Sequence, residues 1–390
     1  MPGTLHGLRV VLLLLSAVSV ADGAFDLVWS GRWDVHGHPK GWNPAVSCCR
    51  GLTGFNLTAF PVLQQGRVAL FLDGLGLYRE SYAPAGLPQT VDLEAHAKKV
   101  AVDVAAIVPA DKDMYCCIDW ETYAPLLFDH GKDSYSRNYC PEARYHGGHG
   151  CGCLGTPGNR YSMPGCGGCP MAVAALNGSM QLVLQRQPQL NRSAAAALAV
   201  TEFNAAARAL WTQTIVAAKQ ARPRCRWGFY GKPLGLLTDS SLYPPYVTPY
   251  TRAVSDAYQW MVNESTALYP STYMHFRHTA ASSYDNTEYV RDIMRETQRL
   301  SANRGKQRGR ISIMPWVWYR YEGANYSSPD SMLLPADMHT ALAVPGASGA
   351  DGLMLYEDGG AQPGMQNFNI TQAYMETVLG PVATALYGGS

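Results

Sequence analysis

Residues 114–123 read Met114-Tyr-Cys-Cys-Ile-Asp-Trp-Glu-Thr-Tyr123, an apolar run followed at once by two carboxylates. A short apolar run of this kind is typical of a buried strand. Residues i and i+2 of an extended strand point to the same face, so Asp119 and Glu121 are expected to project together from its carboxyl end. The stretch therefore predicts a core strand that carries a chemical site at its end.

Six further runs of apolar, β-branched and aromatic residues flank this one, with helical stretches between them. The seven predicted strands are Phe25–Trp29, Val68–Leu72, Tyr115–Asp119, Trp227–Tyr230, Ala267–Ser271, Ile311–Trp318 and Gly352–Tyr356. Strands that alternate with helices indicate a parallel sheet, and no Pro/Ser-rich linker divides the units. The pattern predicts an α/β fold, a TIM-like (β/α) barrel, seven-stranded and distorted, in which the ends of the strands surround the site.

Residues 129–190 interrupt this pattern with a glycine- and cysteine-rich segment after the third strand, containing GGHGCGCLGTPGNRYSMPGCGGC. We interpret it as a disulfide-pinned insertion beside the site. The chain has 10 cysteines, an even number that permits complete pairing. Zinc is the minority interpretation, based on the Cys166-Gly-Gly-Cys169 spacing with His146 and His149 nearby. No metal site and no cofactor are predicted.

Residues 1–23 have the features of a secretory signal peptide, with Arg9, an apolar run and small residues before position 24. Residues 24–390 are then expected to form a single domain. No later window is apolar enough to span a membrane, so the expected location is extracellular, with the lysosome as the alternative. The six N-x-S/T sequons agree with that route, and they begin at Asn56, Asn177, Asn191, Asn263, Asn325 and Asn369. A net charge of +1 gives no indication of a nucleic-acid partner, and the oligomeric state is left open.

Ionising both carboxylates in one partly desolvated cleft costs free energy, because the two negative charges repel each other. One of them therefore keeps its proton to higher pH. A protonated carboxyl beside an ionised one is the arrangement that glycosidases use. Acidic residues are also favoured at the amino end of a helix, where they need no chemical role. The spacing of Asp119 and Glu121 alone leaves both interpretations open.

Longer stretches around this pair resemble the hyaluronidase family of glycoside hydrolases and follow one another in that family's order. They are GLPQTVDLEAHAKKVAVDVAAIVPADKDMYCCIDWE, NAAARALWTQTIVAAKQARPRCRWGFYGKP, ALYPSTYM, IMPWVWYRY and GADGLMLY. Residues 30–66 and the insertion match weakly. The resemblance implies a retaining endo-β-N-acetylhexosaminidase that hydrolyses a glycosaminoglycan polysaccharide, hyaluronan or chondroitin. In its substrate-assisted mechanism, the acetamido group of the sugar attacks its own anomeric carbon.

On this resemblance Glu121 is the general acid and then the general base, and Asp119 orients the acetamide. Tyr230 in W-G-F-Y-G and Tyr269 in A-L-Y-P-S are similar to tyrosines with which the family binds the acetamide. Other side chains near predicted strand ends are expected to contact the substrate, by ring stacking or by charge. These are Tyr78, Lys232, Trp318, Arg320 and Tyr356.

The chain also departs from the family pattern. Ala124 stands where the family usually has an arginine after D-W-E, Tyr356 stands in place of a tryptophan, and the cysteines of the family's two barrel disulfides are missing. Loss of the arginine weakens the case for an anionic substrate. The alternatives are a chitinase-like hydrolase, although Cys117 stands where that motif has a further acid, and a catalytically silent sugar-binding protein.

Overall fold

A computed structural model describes the core of the chain. The described residues are 25–34, 58–63, 68–73, 75–77, 87–120, 125–127, 170–231, 246–247, 249–275, 277, 285–305, 309–321, 329–356 and 368–388. The predicted leader, Glu121 and residues 129–169 of the predicted insertion lie outside these ranges.

Each of the seven predicted runs overlaps a β-strand, and the first strand continues five residues beyond its run. The strands are β1 (Asp26–Asp34), β2 (Val68–Asp73), β3 (Tyr115–Asp119), β4 (Arg226–Phe229), β5 (Ala267–Leu268), β6 (Ser312–Ile313), β7 (Trp316–Trp318) and β8 (Gly352–Tyr356). The run Ile311–Trp318 is divided at Pro315, which lacks an amide hydrogen, into β6 and β7. The prediction of a mainly parallel α/β fold is therefore confirmed.

Among the described residues the strand pairs are all parallel and fall into two sheets. One sheet has six strands in the order β4-β3-β2-β1-β8-β7, and the other pairs β5 with β6. Single bridges link the two sheets, from Tyr230 to Tyr269 and from Ser271 to Trp316. The arrangement is barrel-like, and the carboxyl ends of the strands lie at one edge.

Helices connect most of the strands. They are α1 (Leu93–Ile107), α2 (Pro170–Arg186), α3 (Arg192–Ala221), α4 (Pro249–Ala257), α5 (Gln259–Glu264), α6 (Asn286–Ala302), α7 (Pro335–Ala347), α8 (Phe368–Tyr374) and α9 (Gly380–Tyr387), with a π-helical turn at Met375–Leu379. Helices α1, α3 and α6 begin where Asp92, Asn191 and Asp285 accept hydrogen bonds from amides of the first turn. Among the described residues no helix is long and apolar enough to cross a membrane.

Helix α2 lies within the predicted insertion 129–190. Its residues form 17 residues of helix, which the glycine- and cysteine-rich sequence before it did not indicate. Met180 and Val183 of this helix pack with Ala195 and Ala199 of α3 in an apolar cluster. The described end of the predicted insertion is therefore a helix that packs on α3.

Strand β3 is buried along its whole length because both of its faces are covered. Tyr115 and Cys117 face the interior of the sheet, whereas Cys116, Ile118 and Trp120 pack against α1 and α3. The alternation places Asp119 on the interior face, at the end where the strand stops. The fold thus directs this carboxylate into the mouth of the barrel-like sheet.

Cys116, Cys117 and Cys225 are buried thiols that form no disulfide bond, so the complete pairing that an even number of cysteines permits does not occur. Burial raises the pKa of the Cys116 thiol, and the neighbouring Cys225 raises it further. The other cysteines lie outside the described residues. Within the described ranges no group of three or more His, Cys, Asp or Glu side chains could hold a metal ion.

Candidate active site

The carboxyl ends of β3 and β4 bring Asp119 and Tyr230 together. Asp119 is the last residue of β3 and is 4% exposed. Ile118 and Phe229 are partners in the parallel ladder, and the Tyr230 amide donates to the Ile118 carbonyl at 2.9 Å. Tyr230 therefore follows its strand at the level of Asp119 on the neighbouring strand.

Five aromatic side chains form a group at this edge, which we call the mouth aromatics. They are Tyr230, Tyr273, Trp316, Trp318 and Tyr356. The Tyr230 ring meets Trp316 edge-on at 5.6 Å between centroids and Tyr273 at 6.1 Å. Trp318 lies 5.6 Å from Tyr273 and 5.5 Å from Tyr356. Such rings hold one another in fixed orientations, and of the five only Tyr230 and Tyr356 are partly exposed. The predicted residues Trp318 and Tyr356 are both members.

Tyr269 is not at the mouth, which corrects its predicted role. Its side chain is fully buried, and its hydroxyl donates to the main-chain carbonyl of Arg226. Arg226 is the first residue of β4, so the hydroxyl points toward the amino end of the strands, away from Asp119. Burial raises the pKa of this hydroxyl well above its ordinary value. Tyr269 is a core residue of the sheet.

Tyr273, and not Tyr269, lies among the mouth aromatics. It lies four residues further along A-L-Y-P-S-T-Y-M, beyond the bridge at Ser271, and its ring contacts three other mouth aromatics. Sequence reasoning overlooked it because the motif contains two tyrosines. Its position could have identified it, because Tyr273 comes after the end of the predicted strand whereas Tyr269 lies within it. Side chains that reach the site of a barrel come from the segments that follow the strands.

Arg320 also differs from its predicted role as a cation for the substrate. Its side chain is fully buried and donates to the hydroxyls of Ser331 and Thr371. The chain folds back after β7, so that Arg320 bridges to Met332 and is enclosed against α8. This arginine therefore joins two chain segments and does not reach the cleft.

Glu121, Tyr78 and Lys232 lie outside the described residues, so their roles stay predictions. The backbone register adds a feature that sequence analysis missed. Asp34 pairs with Asp73, and Asp73 pairs with Asp119, so three aspartates occupy one level of β1, β2 and β3. This part of the rim has an acidic sequence.

Comparison with known proteins identifies what the chain is similar to. A family model described as "Hyaluronidase" matches residues 174–387. Hyaluronidase PH-20 of Cavia porcellus is 27% identical over 278 residues, 67% of this chain and 45% of the relative. PH-20 of Homo sapiens is 25% identical over 364 residues, 87% of this chain and 61% of the relative. The chain thus spans between 45% and 61% of the length of these relatives.

Human Hyaluronidase-1 is 26% identical over 411 residues, covering 99% of this chain and 81% of the relative. Among solved structures, bee venom hyaluronidase aligns with a TM-score of 0.60 at 18% identity, over 82% of this chain and 88% of that chain. Its complex with a hyaluronic acid tetramer aligns with a TM-score of 0.61 at 18% identity, over 83% and 88%. At this identity the structural match establishes a shared TIM-barrel-like fold.

Proposed function

The chain belongs to the hyaluronidase family, and from this membership we propose that it is a glycoside hydrolase that cleaves hyaluronan. The observation that carries the proposal is the position of Asp119 beside the mouth aromatics at the carboxyl ends of parallel strands. A nearly buried carboxylate beside a group of tilted and edge-on aromatic rings suits the stabilisation of a positively charged sugar intermediate.

Our proposed reaction begins with Glu121, which donates its proton to the glycosidic oxygen of the leaving sugar. The acetamido oxygen of the bound amino sugar then attacks the anomeric carbon as that bond breaks. Asp119 accepts a hydrogen bond from the acetamido nitrogen and stabilises its developing positive charge, an effect that is strong because Asp119 is 4% exposed. Glu121 next removes a proton from water, which attacks the same carbon. Two displacements return the original β configuration.

The hydroxyls of Tyr230 and Tyr273 are proposed to hold the acetamide in the orientation that this attack requires. Their rings are 6.1 Å apart, and both belong to the segments that follow β4 and β5. Trp318 and Tyr356 would form the stacking surface for the sugar ring. Orientation of the attacking group supplies much of the rate acceleration in intramolecular reactions.

A second candidate substrate is a neutral polymer of N-acetylhexosamine, such as chitin. Two observations favour it: Arg320 is enclosed in the protein, and aspartates occupy one level of β1, β2 and β3. Neither feature helps to bind the carboxylate of a uronic acid. Chondroitin is the remaining anionic candidate.

Several predictions on the architecture also enter this proposal. We propose that the two sheets close into a seven-stranded barrel, with residues 129–190 as an insertion beside the mouth that includes helix α2. Residues 1–23 would direct the chain into the secretory route and be removed. The 129–169 segment follows β3, and segments after strands surround the site in barrels of this kind.

The test is digestion of hyaluronan, chondroitin and chitin oligomers by the wild type and by Glu121→Gln, from about pH 3.5 to about pH 7, around the reference carboxyl pKa of about 4. Glu376→Gln is the matched control because Glu376 is exposed on the C-terminal helical segment. We expect Glu121→Gln to abolish cleavage and Glu376→Gln to leave it unchanged. Binding without cleavage by the wild type would instead indicate a catalytically silent sugar-binding protein.

A further inference from the structure

The turn that follows β2 is held by two side chains of α1. The Gly76 amide donates to Oδ2 of Asp103 at 2.9 Å, and the Leu77 amide donates to Nδ1 of His96 at 3.1 Å. Asp103 is also paired with Lys99. The last residue of β2 is in register with Asp119, so the turn is part of the mouth.

The hydrogen bonds of His96 define its protonation state. Nδ1 accepts from the Leu77 amide and therefore carries no proton. Nε2 lies 2.8 Å from Oγ1 of Thr214, whose hydroxyl donates to the Leu210 carbonyl at 2.8 Å. Thr214 must then accept from Nε2–H. The fully buried ring is thus a neutral imidazole that joins the turn to α3.

The turn and the imidazole are fitted closely to each other. Gly76 has a φ of 78°, which favours glycine, and a Cβ at this position would lie 2.4 Å from a ring carbon of His96. The same Cβ would lie 2.8 Å from Val100. The turn can therefore occupy this place only with glycine at position 76 and with the imidazole in its observed orientation.

The imidazole also packs behind the residue that separates the two proposed catalytic carboxylates. The His96 and Trp120 ring centroids are 6.2 Å apart, and Trp120 meets Trp211 edge-on at 5.1 Å. In the chain, Trp120 stands between Asp119 and Glu121. His96 therefore contacts two walls of the mouth, the turn after β2 and the segment after β3.

We propose that neutral His96 is a positioning residue for the hydrolysis, which holds the turn Leu75–Leu77 and supports Trp120, and that its protonation releases the turn and lowers activity in acid. In a protonated ring Nδ1 carries a hydrogen and can no longer accept from the Leu77 amide. Two hydrogen-bond donors would then face each other, and the contact would be lost. The effect on activity depends on the proposed function. The effect on the turn does not.

Burial and the neighbouring charges shift the pKa of His96 in opposite directions. Burial lowers its pKa from 6.5 to about 4, and the negative charge of Asp103 on the same helix opposes that shift. Lys99 partly balances Asp103, the facing group on α3 is the neutral Thr214 hydroxyl, and Asp119 precedes Trp120 in the chain. The ring therefore stays neutral in weak acid and becomes charged near pH 4.

The direct test is hydrogen exchange of the peptide that covers residues 68–77 in the wild-type protein, with intrinsic rates corrected for pH. We expect protection of the Gly76 and Leu77 amides to fall about tenfold as the pH is lowered one unit below the pKa of His96, because the neutral fraction falls about tenfold there. Constant protection across that pH range, in a protein that stays folded, would overturn the proposal.

Two substitutions separate the two contacts of His96. In His96→Asn the amide oxygen can occupy the Nδ1 position and still accept from Leu77, but it does not titrate. In His96→Gln the amide reaches the Nε2 position and keeps the contact with Thr214 only. We expect Asn to keep the turn protected at all pH values and Gln to leave it unprotected. His339→Gln, on the exposed part of α7, is the control and should match the wild type.

The pH profile of kcat/KM for hyaluronan is the second measurement. His96→Asn should lose activity less steeply in acid than the wild type, whereas His96→Gln should be impaired about tenfold or more already at weakly acidic pH, as expected when a catalytic segment is misplaced. An inactive wild type with pH-dependent protection of the turn would refute the proposed function and leave the role of His96 standing. An active enzyme with profiles identical in both variants would refute the role of His96.

Discussion

The two tyrosines of A-L-Y-P-S-T-Y-M offer a test in which neighbouring positions have opposite expected outcomes. Tyr269→Phe removes a buried hydroxyl that donates to the Arg226 carbonyl. The Arg226 carbonyl keeps its place in the β3–β4 ladder, so the cost is that of one buried hydrogen bond, about 0.5–1.5 kcal/mol of unfolding free energy. In a domain of this size that loss lowers the melting temperature by a few degrees. Activity per folded molecule should be unchanged, because the hydroxyl points away from the mouth.

Tyr273→Phe keeps the ring and its contacts with Tyr230, Trp318 and Tyr356. It removes the hydroxyl proposed to orient the acetamide, and loss of one such preorganised donor typically lowers kcat by about 10²–10³-fold. The assay is release of reducing ends from hyaluronan, with folded protein counted by circular dichroism. A folded Tyr269→Phe protein as inactive as Tyr273→Phe would refute the assignment, and so would a fully active Tyr273→Phe protein.

Three further predictions concern stability. In urea titrations the wild type should lose up to about 3 kcal/mol of unfolding free energy as the pH falls from 6.5 to 4. The reason is that His96 is protonated in the unfolded chain over this range but stays neutral in the folded protein, where burial lowers its pKa to about 4. The His96→Asn variant should not show this part of the loss. Gly228→Ala should destabilise by about 3 kcal/mol or more, since its Cβ would lie 2.1 Å from the Ala267 carbonyl oxygen, and wild-type thermal stability would contradict this. Arg320→Ala should lower the melting temperature but not the salt dependence of hyaluronan binding, whereas a change in that salt dependence would indicate a substrate contact.

The strands were predictable because each lies in a short apolar run, and in β3 the run is continuous since both faces are buried. The position of Asp119 followed from the same argument, since the last residue of a parallel strand lies at the edge where such sites form. Pro315 could have shown that the sixth run divides, because proline interrupts a ladder.

Other features depend on contacts between residues distant in sequence. A motif with two tyrosines does not show how far along the strand each one lies, so Tyr269 was chosen where Tyr273 faces the mouth. Arg320 is buried by the segment at Ser331 and by α8. Its position directly after a strand in the sequence did not indicate either contact. His96 lies on a predicted amphipathic helix, but its partner on α3 is 118 residues away.

The stereochemistry of hydrolysis tests the proposed mechanism most directly. Proton NMR of hyaluronan oligosaccharides during the first turnover shows which anomer of N-acetylhexosamine is released before mutarotation. Two displacements at the anomeric carbon, the first by the acetamido oxygen, predict the β-anomer as the initial product. Initial release of the α-anomer would mean a single displacement by water and would contradict the roles given to Asp119 and Glu121, as would the absence of any cleavage.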